Sequence, residues 1–233
     1  MELSIVIPAY NEGHRIGETL ARTIAFCESH LSEWELIVVD DGSSDNTEQA
    51  VRDVAGVRYM RNEENRGKGY SVRRGMLAAS CDPVLFTDAD LSAPISEARR
   101  LLSAVEKGAD VAIASRGFDV TTTVERTPLR RLMAFSFRLL VRLLVISGIN
   151  DTQCGFKMFR REAARTIFAR QRLEGWGFDV ELLFIARRHG LRIDEVPVSW
   201  TESNESRLKW YTPLAMAVDL LHIRVNAWLG RYR

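Results

Sequence analysis

The sequence predicts an α/β fold, a doubly wound and mostly parallel sheet flanked by helices. Two observations carry this. Short apolar runs alternate with segments of helical periodicity, the pattern of repeated strand–helix units. Polar or charged residues stand at the carboxyl end of each run, where open parallel sheets bind their ligands. At 233 residues the chain is long enough for one large domain with a substantial core.

Leu3-Ser4-Ile5-Val6-Ile7 reads as the first strand, closed by Pro8, with Pro8–Glu12 as the loop at its carboxyl end. A helix is expected from about Gly13 to His30, with Ile16, Leu20, Thr23, Ile24 and Cys27 on one face. Glu35–Val39 is the second strand and runs into Asp40-Asp41-Gly42-Ser43-Ser44-Asp45-Asn46-Thr47. There Gly42 permits a tight turn and Asp45 is expected to cap the next helix. Val57–Met60 is the third strand, followed by Asn65-Arg66-Gly67-Lys68-Gly69 and a helix to about Ala79. This glycine loop has neither the P-loop nor the dinucleotide spacing. Lys68 is placed to approach a phosphate, with an exposed turn lysine as the alternative.

Val84–Thr87 is the fourth strand and ends in Asp88-Ala89-Asp90. Two carboxylates one residue apart repel unless positive charge lies near, and together they can share one hard cation. Asp110–Ser115 is the fifth strand. Arg116 follows it and can reach a diphosphate as a bidentate donor, with a surface ion pair as the alternative.

The formal net charge is +1, which gives no case for nucleic acid as a partner. Cys27, Cys81 and Cys154 are far apart and lack CxxC spacing, so reduced thiols in a cytoplasmic protein fit better than a disulfide framework. Met1 leads straight into a strand, so no signal peptide is expected. No stretch of about 18 uncharged apolar residues exists, so no transmembrane helix is expected either.

Four motifs then fall in one order: IPAYNE at Ile7–Glu12, VVDDGSSDNT at Val38–Thr47, NRGKGYSVRRG at Asn65–Gly75 and TDADLSAP at Thr87–Pro94. Together they resemble the nucleotide-sugar-binding half of inverting family-2 glycosyltransferases with the GT-A fold, over most of residues 1–120. The resemblance implies that Pro8, Tyr10 and Glu12 line a nucleoside pocket. It implies that Asp40 and Asp41 contact base and ribose. Asp88 and Asp90, on either side of Ala89, would hold Mg²⁺ or Mn²⁺ against the diphosphate, with Lys68 and Arg116 beside them.

In the second half, Thr121–Thr123 and Glu125 read as a polar loop and Thr127–Ile146 as a helix. Leu132, Phe135, Leu139, Leu143 and Ile146 make one apolar stripe on it; Arg131, Arg138 and Arg142 make a basic one. Such a helix suits a membrane surface or an anionic ligand, and a solvated basic face is the alternative. Asn150–Lys157 resembles the DTQCGFK segment of enzymes that make dolichyl- and polyprenyl-phosphate glucose. Gly175–Leu182, Val196–Trp200 and the Ser206-Arg207 pair fit the same subgroup, although Glu205 stands where relatives often carry glycine. Dolichyl-phosphate mannose synthases are a more distant likeness. Tyr211–Tyr232 is expected as a final helix along a surface, with Leu214, Val218, Leu221, Val225 and Trp228 on one stripe and Met216, Leu220, Ile223 and Ala227 widening it.

The expectation is therefore one GT-A domain: 1–120 for the nucleotide sugar, 121–210 for the acceptor, 211–233 an amphipathic helix. It would move a hexose, foremost glucose from UDP-glucose, onto a polyprenyl or dolichyl phosphate at the inner face of the cytoplasmic membrane. Arg116, Arg130, Arg131, Gln153, Ser206, Arg207 and Lys209 are candidates for holding the acceptor phosphate. A phosphate nucleophile is already anionic, so Asp151 would position the acceptor or an arginine and need not act as a base. Asp179 and Glu181 would orient the loop or basic residues. A GDP-mannose donor, a saccharide acceptor, a silent nucleotide-sugar-binding protein, a homodimer and a membrane-anchoring partner stay open.

Overall fold

The computed structural model describes residues 1–116, 128–201 and 212–233; the side chains of 128–135 and 212–214 lie outside the described set. Among the described residues seven strands form one sheet: β1 (Glu2–Ala9), β2 (Glu33–Asp40), β3 (Val57–Arg61), β4 (Val84–Thr87), β5 (Val111–Ser115), β6 (Phe156–Phe159) and β7 (Ile193–Pro197). Their order across it is β3-β2-β1-β4-β6-β5-β7. All neighbours run parallel except β6, which is antiparallel to both β4 and β5.

The helices are α1 (Ile16–His30), α2 (Thr47–Arg52), α3 (Lys68–Ala78), α4 (Ala98–Glu106), α5 (Pro128–Leu144), α6 (Arg161–Arg170), α7 (Phe178–Arg188) and α8 (Thr212–Trp228). Strand side chains alternate between two cores, as the two-residue period requires. Leu3, Ile5 and Ile7 pack with Leu20, Cys27 and Leu101 on one face; Val6, Val39 and Phe86 pack with Val72, Ile167 and Leu220 on the other. Each such burial stabilises the fold by about 1.5–3 kcal/mol.

The reversal of β6 places the site. Phe156 pairs with Thr87, so the segment entering β6 arrives where β4 ends. Residues 151–155 are thereby delivered to the same crevice as Asp88. The sequence reading had no strand here, because Lys157 interrupts a four-residue run; the structure buries that lysine completely.

Several boundaries differ from expectation. The N-cap position of α2 is Asn46, not Asp45. Asp45 still serves that end, since its Oδ1 accepts the Thr47 amide at 3.0 Å and the Thr47 hydroxyl at 2.5 Å, while Oδ2 accepts the Gly13 amide at 3.0 Å. This tie leaves residues 13–15 outside α1, which starts at Ile16. The predicted single stripe of α8 is two opposite faces. Met216, Leu220 and Ile223 are buried, whereas Val218, Leu221, Val225 and Trp228 are exposed. Among the described side chains of α5 Val141 is buried and the predicted stripe residues Leu139 and Leu143 face out; Ile146, just past the helix, is buried, and Leu132 and Phe135 lie outside the described side chains. Among the described residues no helix is long and apolar enough to cross a membrane.

Candidate active site

The carboxyl ends of β1, β2, β4 and β5 carry the functional side chains. Asp88 follows β4; its amide donates to Gly155 O at 3.2 Å and its carboxylate meets Lys68 Nζ at 2.5 Å. Gly155 has no side chain where one cannot fit, since a Cβ there would stand 2.0 Å from Asp88 Oδ2. Lys68 opens α3 between two glycines and lies 5.5 Å from the Trp176 ring centroid. Burial opposes its charge, but the carboxylates of Asp88, Asp179 and Asp90 outweigh burial and hold its pKa above the ordinary lysine value. Asp90 Oδ1 accepts the Ser92 amide at 3.0 Å, and Leu91 between them takes a left-handed φ of 47°. A leucine in that conformation is strained, which commonly marks a functional turn.

Arg116 forms a fork on Asp151: Nε donates to Oδ2 at 2.6 Å, an Nη to Oδ1 at 2.8 Å, and the Arg116 amide to Oδ2 at 3.1 Å. Burial raises the pKa of Asp151, yet these donors outweigh it and hold the carboxyl below its usual range. A carboxylate so held is a poor proton acceptor and a good anchor for a guanidinium. The amides of Asn150 and Asp151 are in turn held by Glu195 Oε1 at 2.9 and 3.0 Å. Trp200 lies under the Arg116 guanidinium at 5.3 Å.

Behind this pair Lys157 donates to Asp179 and, at 2.6 Å, to Cys154 O. The two side chains are 0% and 5% exposed, so this is an interior ion pair. It pins the turn at Cys154–Gly155 that abuts Asp88. Cys154 is fully buried; burial and the nearby Asp151 push its thiol up to about 12, so it is no nucleophile at neutral pH.

The loops after β1 and β2 are stitched together. The amides of Asn11 and Glu12 donate to Ser43 Oγ and Thr47 Oγ1, both at 2.8 Å, and Asn11 Oδ1 accepts the Ser44 amide at 2.9 Å. Tyr10 is exposed beside them, Pro8 is half-buried, and Glu12 pairs with Arg15 at 2.9 Å. Asp40 is fully buried and accepts from Tyr59 at 2.5 Å, Arg61 at 3.1 Å and the Ser43 amide at 2.8 Å. Asp41 accepts from Asn62, Arg66 N and Gly67 N at 2.7, 3.0 and 2.8 Å. Both carboxylates are thus buried and spent on bracing the loops after β2 and β3. Ala89 is buried, its carbonyl held by Thr19 Oγ1 at 2.6 Å.

Gln153 is half-buried with its amide 3.9 Å from Met216 Sδ of α8, a side-chain distance and not a phosphate pocket by itself. Arg130 and Arg131 belong to the first turn of α5, but their side chains lie outside the described residues, as do Ser206, Arg207 and Lys209. A cleft of about 190 Å³ opens beside Asp90 and Leu91, lined by Arg15, Thr19 and Arg22. A larger one, about 280 Å³, lies at the opposite end of β1 among Glu2, Asp82 and Arg160 and holds none of the predicted side chains.

Among the described residues no group of three His, Cys, Asp or Glu side chains gathers that could hold a metal ion alone. Asp88 and Asp90 offer hard oxygen donors only. That set fits Mg²⁺ or Mn²⁺ when substrate phosphates and water complete the shell, because these small cations prefer few carboxylates and keep their waters. Lys68 now supplies the positive charge that the paired carboxylates require.

Among the described residues the seven-stranded sheet has a reversed sixth strand, with Lys68 on Asp88 at the end of β4 and Arg116 on Asp151 ahead of β6. Residues 4–168 match the family described as Glycosyl transferase family 2, and the chain belongs to that family. It is 39% identical to the dolichyl-phosphate beta-glucosyltransferase of Saccharomyces cerevisiae, over 99% of this chain and 76% of the relative. It is 38% identical to a dolichyl-phosphate beta-glucosyltransferase of Trichomonas vaginalis over 95% and 70%, and 34% identical to that of Homo sapiens over 100% and 78%. Among solved structures it resembles glucosyl-3-phosphoglycerate synthase from Mycobacterium tuberculosis, in complex with Mn²⁺, UDP-glucose and phosphoglyceric acid. The TM-score is 0.74, with 21% identity over 99% of this chain and 79% of that one. The likeness supports the GT-A fold.

Proposed function

We propose that the protein is an inverting glucosyltransferase that moves glucose from UDP-glucose onto dolichyl or polyprenyl phosphate. The observation that carries this is its 34–39% identity, over nearly the whole chain, to relatives named for that activity. The site chemistry supports it. Lys68, against Asp88 at the end of β4, and Arg116, at the end of β5, are cations on either side of the segment that enters β6, where two anions, donor diphosphate and acceptor phosphate, must be held together. Asp151, held as a carboxylate by Arg116, orients that guanidinium toward the crevice; a phosphate oxygen attacks without losing a proton. One in-line displacement at the anomeric carbon inverts its configuration. Asp88 and Asp90 would hold Mg²⁺ or Mn²⁺, which supplies charge neutralisation for the leaving diphosphate. Tyr10, Pro8, Glu12 and the loop of Asp40 and Asp41 form the nucleoside end, and residues 121–210 the acceptor end. Arg130, Arg131, Gln153, Ser206, Arg207 and Lys209 are assigned to the acceptor phosphate on the resemblance alone.

The outward stripes of α5 and α8 support contact with a membrane surface, the place of a lipid acceptor. Leu143 and Trp228 are 73% and 85% exposed, and Arg138, Arg224 and Arg231 are exposed on the same helices and the turn after α8. Apolar groups beside cations suit an anionic bilayer.

The test is purified protein with UDP-glucose, GDP-mannose and other nucleotide sugars, polyprenyl phosphate or a saccharide, and Mg²⁺ or Mn²⁺, with products read by mass. Glucosyl phosphoryl polyprenol from UDP-glucose is expected. Mannosyl product from GDP-mannose, or none from any donor, would overturn the assignment.

A further inference from the structure

Glu181 is a fully buried carboxylate in the first turn of α7. It accepts the Arg172 amide at 3.0 and 3.1 Å, the Leu173 amide at 2.8 Å and the Tyr232 hydroxyl at 2.5 Å. Such a group is retained in an interior only where donors surround it. Tyr232 is itself wholly buried, edge-on to Phe184, with Asn226 Nδ2 at 3.3 Å from its hydroxyl and His189 Nε2 at 2.9 Å from its carbonyl. The turn at Gly230, with φ at 72°, brings it back under α7.

The segment that Glu181 holds is the one packed on the start of α3. Glu174 O accepts the amides of Gly69 at 2.7 Å and Tyr70 at 3.3 Å, and Gln171 Nε2 donates to Gly69 O at 2.9 Å. The fit is tight: a Cβ on Gly67 would stand 2.5 Å from Glu174 O, and one on Gly69 2.8 Å from Leu173 O. Lys68 lies between these glycines and reaches Asp88. A line of short polar contacts, joined through the backbone at 173–174 and 68–69, therefore runs from Tyr232 to the acidic strand end.

We infer that Glu181 and Tyr232 are positioning residues for Lys68, acting through residues 171–174, so that anchorage of the chain after α8 sets the geometry at the nucleotide end of the sheet. This rests on the proposed function only in taking Lys68 as facing the donor diphosphate.

Hydrogen exchange on the full chain without ligand tests the line directly. Tyr232→Phe, and Glu181→Gln as a second variant, are expected to speed exchange about tenfold in both 171–175 and 67–72, with β2 and β3 unchanged. Calorimetry with UDP and Mn²⁺ tests the consequence. Tyr232→Phe should weaken binding about three- to tenfold in the native chain and less than about twofold in a Lys68→Met background. Wild-type exchange in 67–72 beside faster exchange in 171–175 would overturn the inference, and so would an equal binding penalty in both backgrounds. Where Lys68→Met binds too weakly to titrate, exchange decides. If the native chain binds no UDP, the proposed function fails while the exchange result still judges the line.

Discussion

Lys157→Met is expected to cost about 3 kcal/mol, and Asp179→Asn more, about 5 kcal/mol. Lys157 is 0% exposed and its ammonium has Asp179 and Cys154 O as partners. Removing the lysine leaves a carboxylate in the interior, but one in the first turn of α7, where the helix end favours negative charge, and within the field of Lys68. Removing the aspartate leaves an ammonium against a carbonyl and, at 5.4 Å, the Phe86 ring. The aspartate variant is therefore the worse of the two. Changing both at once, Lys157→Met with Asp179→Leu, removes the desolvation cost together with the attraction and should recover most of the loss. Urea unfolding at fixed pH measures this through the midpoint at constant m-value. For a chain of this size a loss of about 3 kcal/mol also lowers Tm by roughly 6–12 °C. Single variants within about 1 kcal/mol of the native protein, or a double variant no better than the singles, would refute the reasoning that the pair is buried and mutually dependent.

Further outcomes follow from the same site. Gly155→Ala puts a Cβ 2.0 Å from Asp88 Oδ2 and should cut kcat at least about a hundredfold through a misplaced carboxylate, checked by steady-state assay beside a thermal melt that stays folded. Asp90→Asn should lower kcat by orders of magnitude with the fold intact; full activity of that variant in a chelator would end the metal role. Replacing Arg131, Arg138 and Arg142 by Gln should weaken binding to anionic liposomes by about 3 kcal/mol and raise the acceptor KM with UDP affinity unchanged. On the acid side, the carboxyls of Asp151 and Glu35 lie below their usual range: burial raises each, and the bonds from Arg116, and from Ser80, Ser4 and Arg58, outweigh it. Folded pKa values below the unfolded ones give stability that is complete above about pH 5 and is lost as pH falls through the folded values. Asp151→Asn and Glu35→Gln should each flatten the acid limb of a stability-versus-pH curve.

Parallel strands were legible because both faces of β1, β2 and β4 are buried, so their residues form apolar runs that end sharply in polar loops. The acidic strand end at Asp88–Asp90 was legible for the same reason. Strand β6 was not, since a buried lysine reads as a surface residue until its partner Asp179, 22 positions away, is placed beside it. The pairing of Arg116 with Asp151 spans 35 positions and rests on the reversal of β6, which no local pattern encodes. Glu181 was expected to orient a loop, and it does hold the amides of residues 172 and 173; its second partner, Tyr232, sits 51 positions on, beyond any periodic signal. For α8 the periodicity showed the apolar surface but not which part of it faces inward, because a helix apolar on both sides has little preferred direction.

The order β4-β6-β5-β7 bears on how this chain can be divided. Strand β5 precedes residue 120, yet both of its neighbours, β6 and β7, come after residue 150. A fragment ending at 120 would carry β5 with no strand to bond, and β4 with one side bare. A fragment starting after 120 would hold β6 and β7 with nothing between them. Neither piece can close its backbone hydrogen bonds alone, so the two halves are interleaved pieces of one object, and exchanging one of them between relatives requires a cut after β6, which leaves β5 bonded to β6, rather than at the midpoint of the chain.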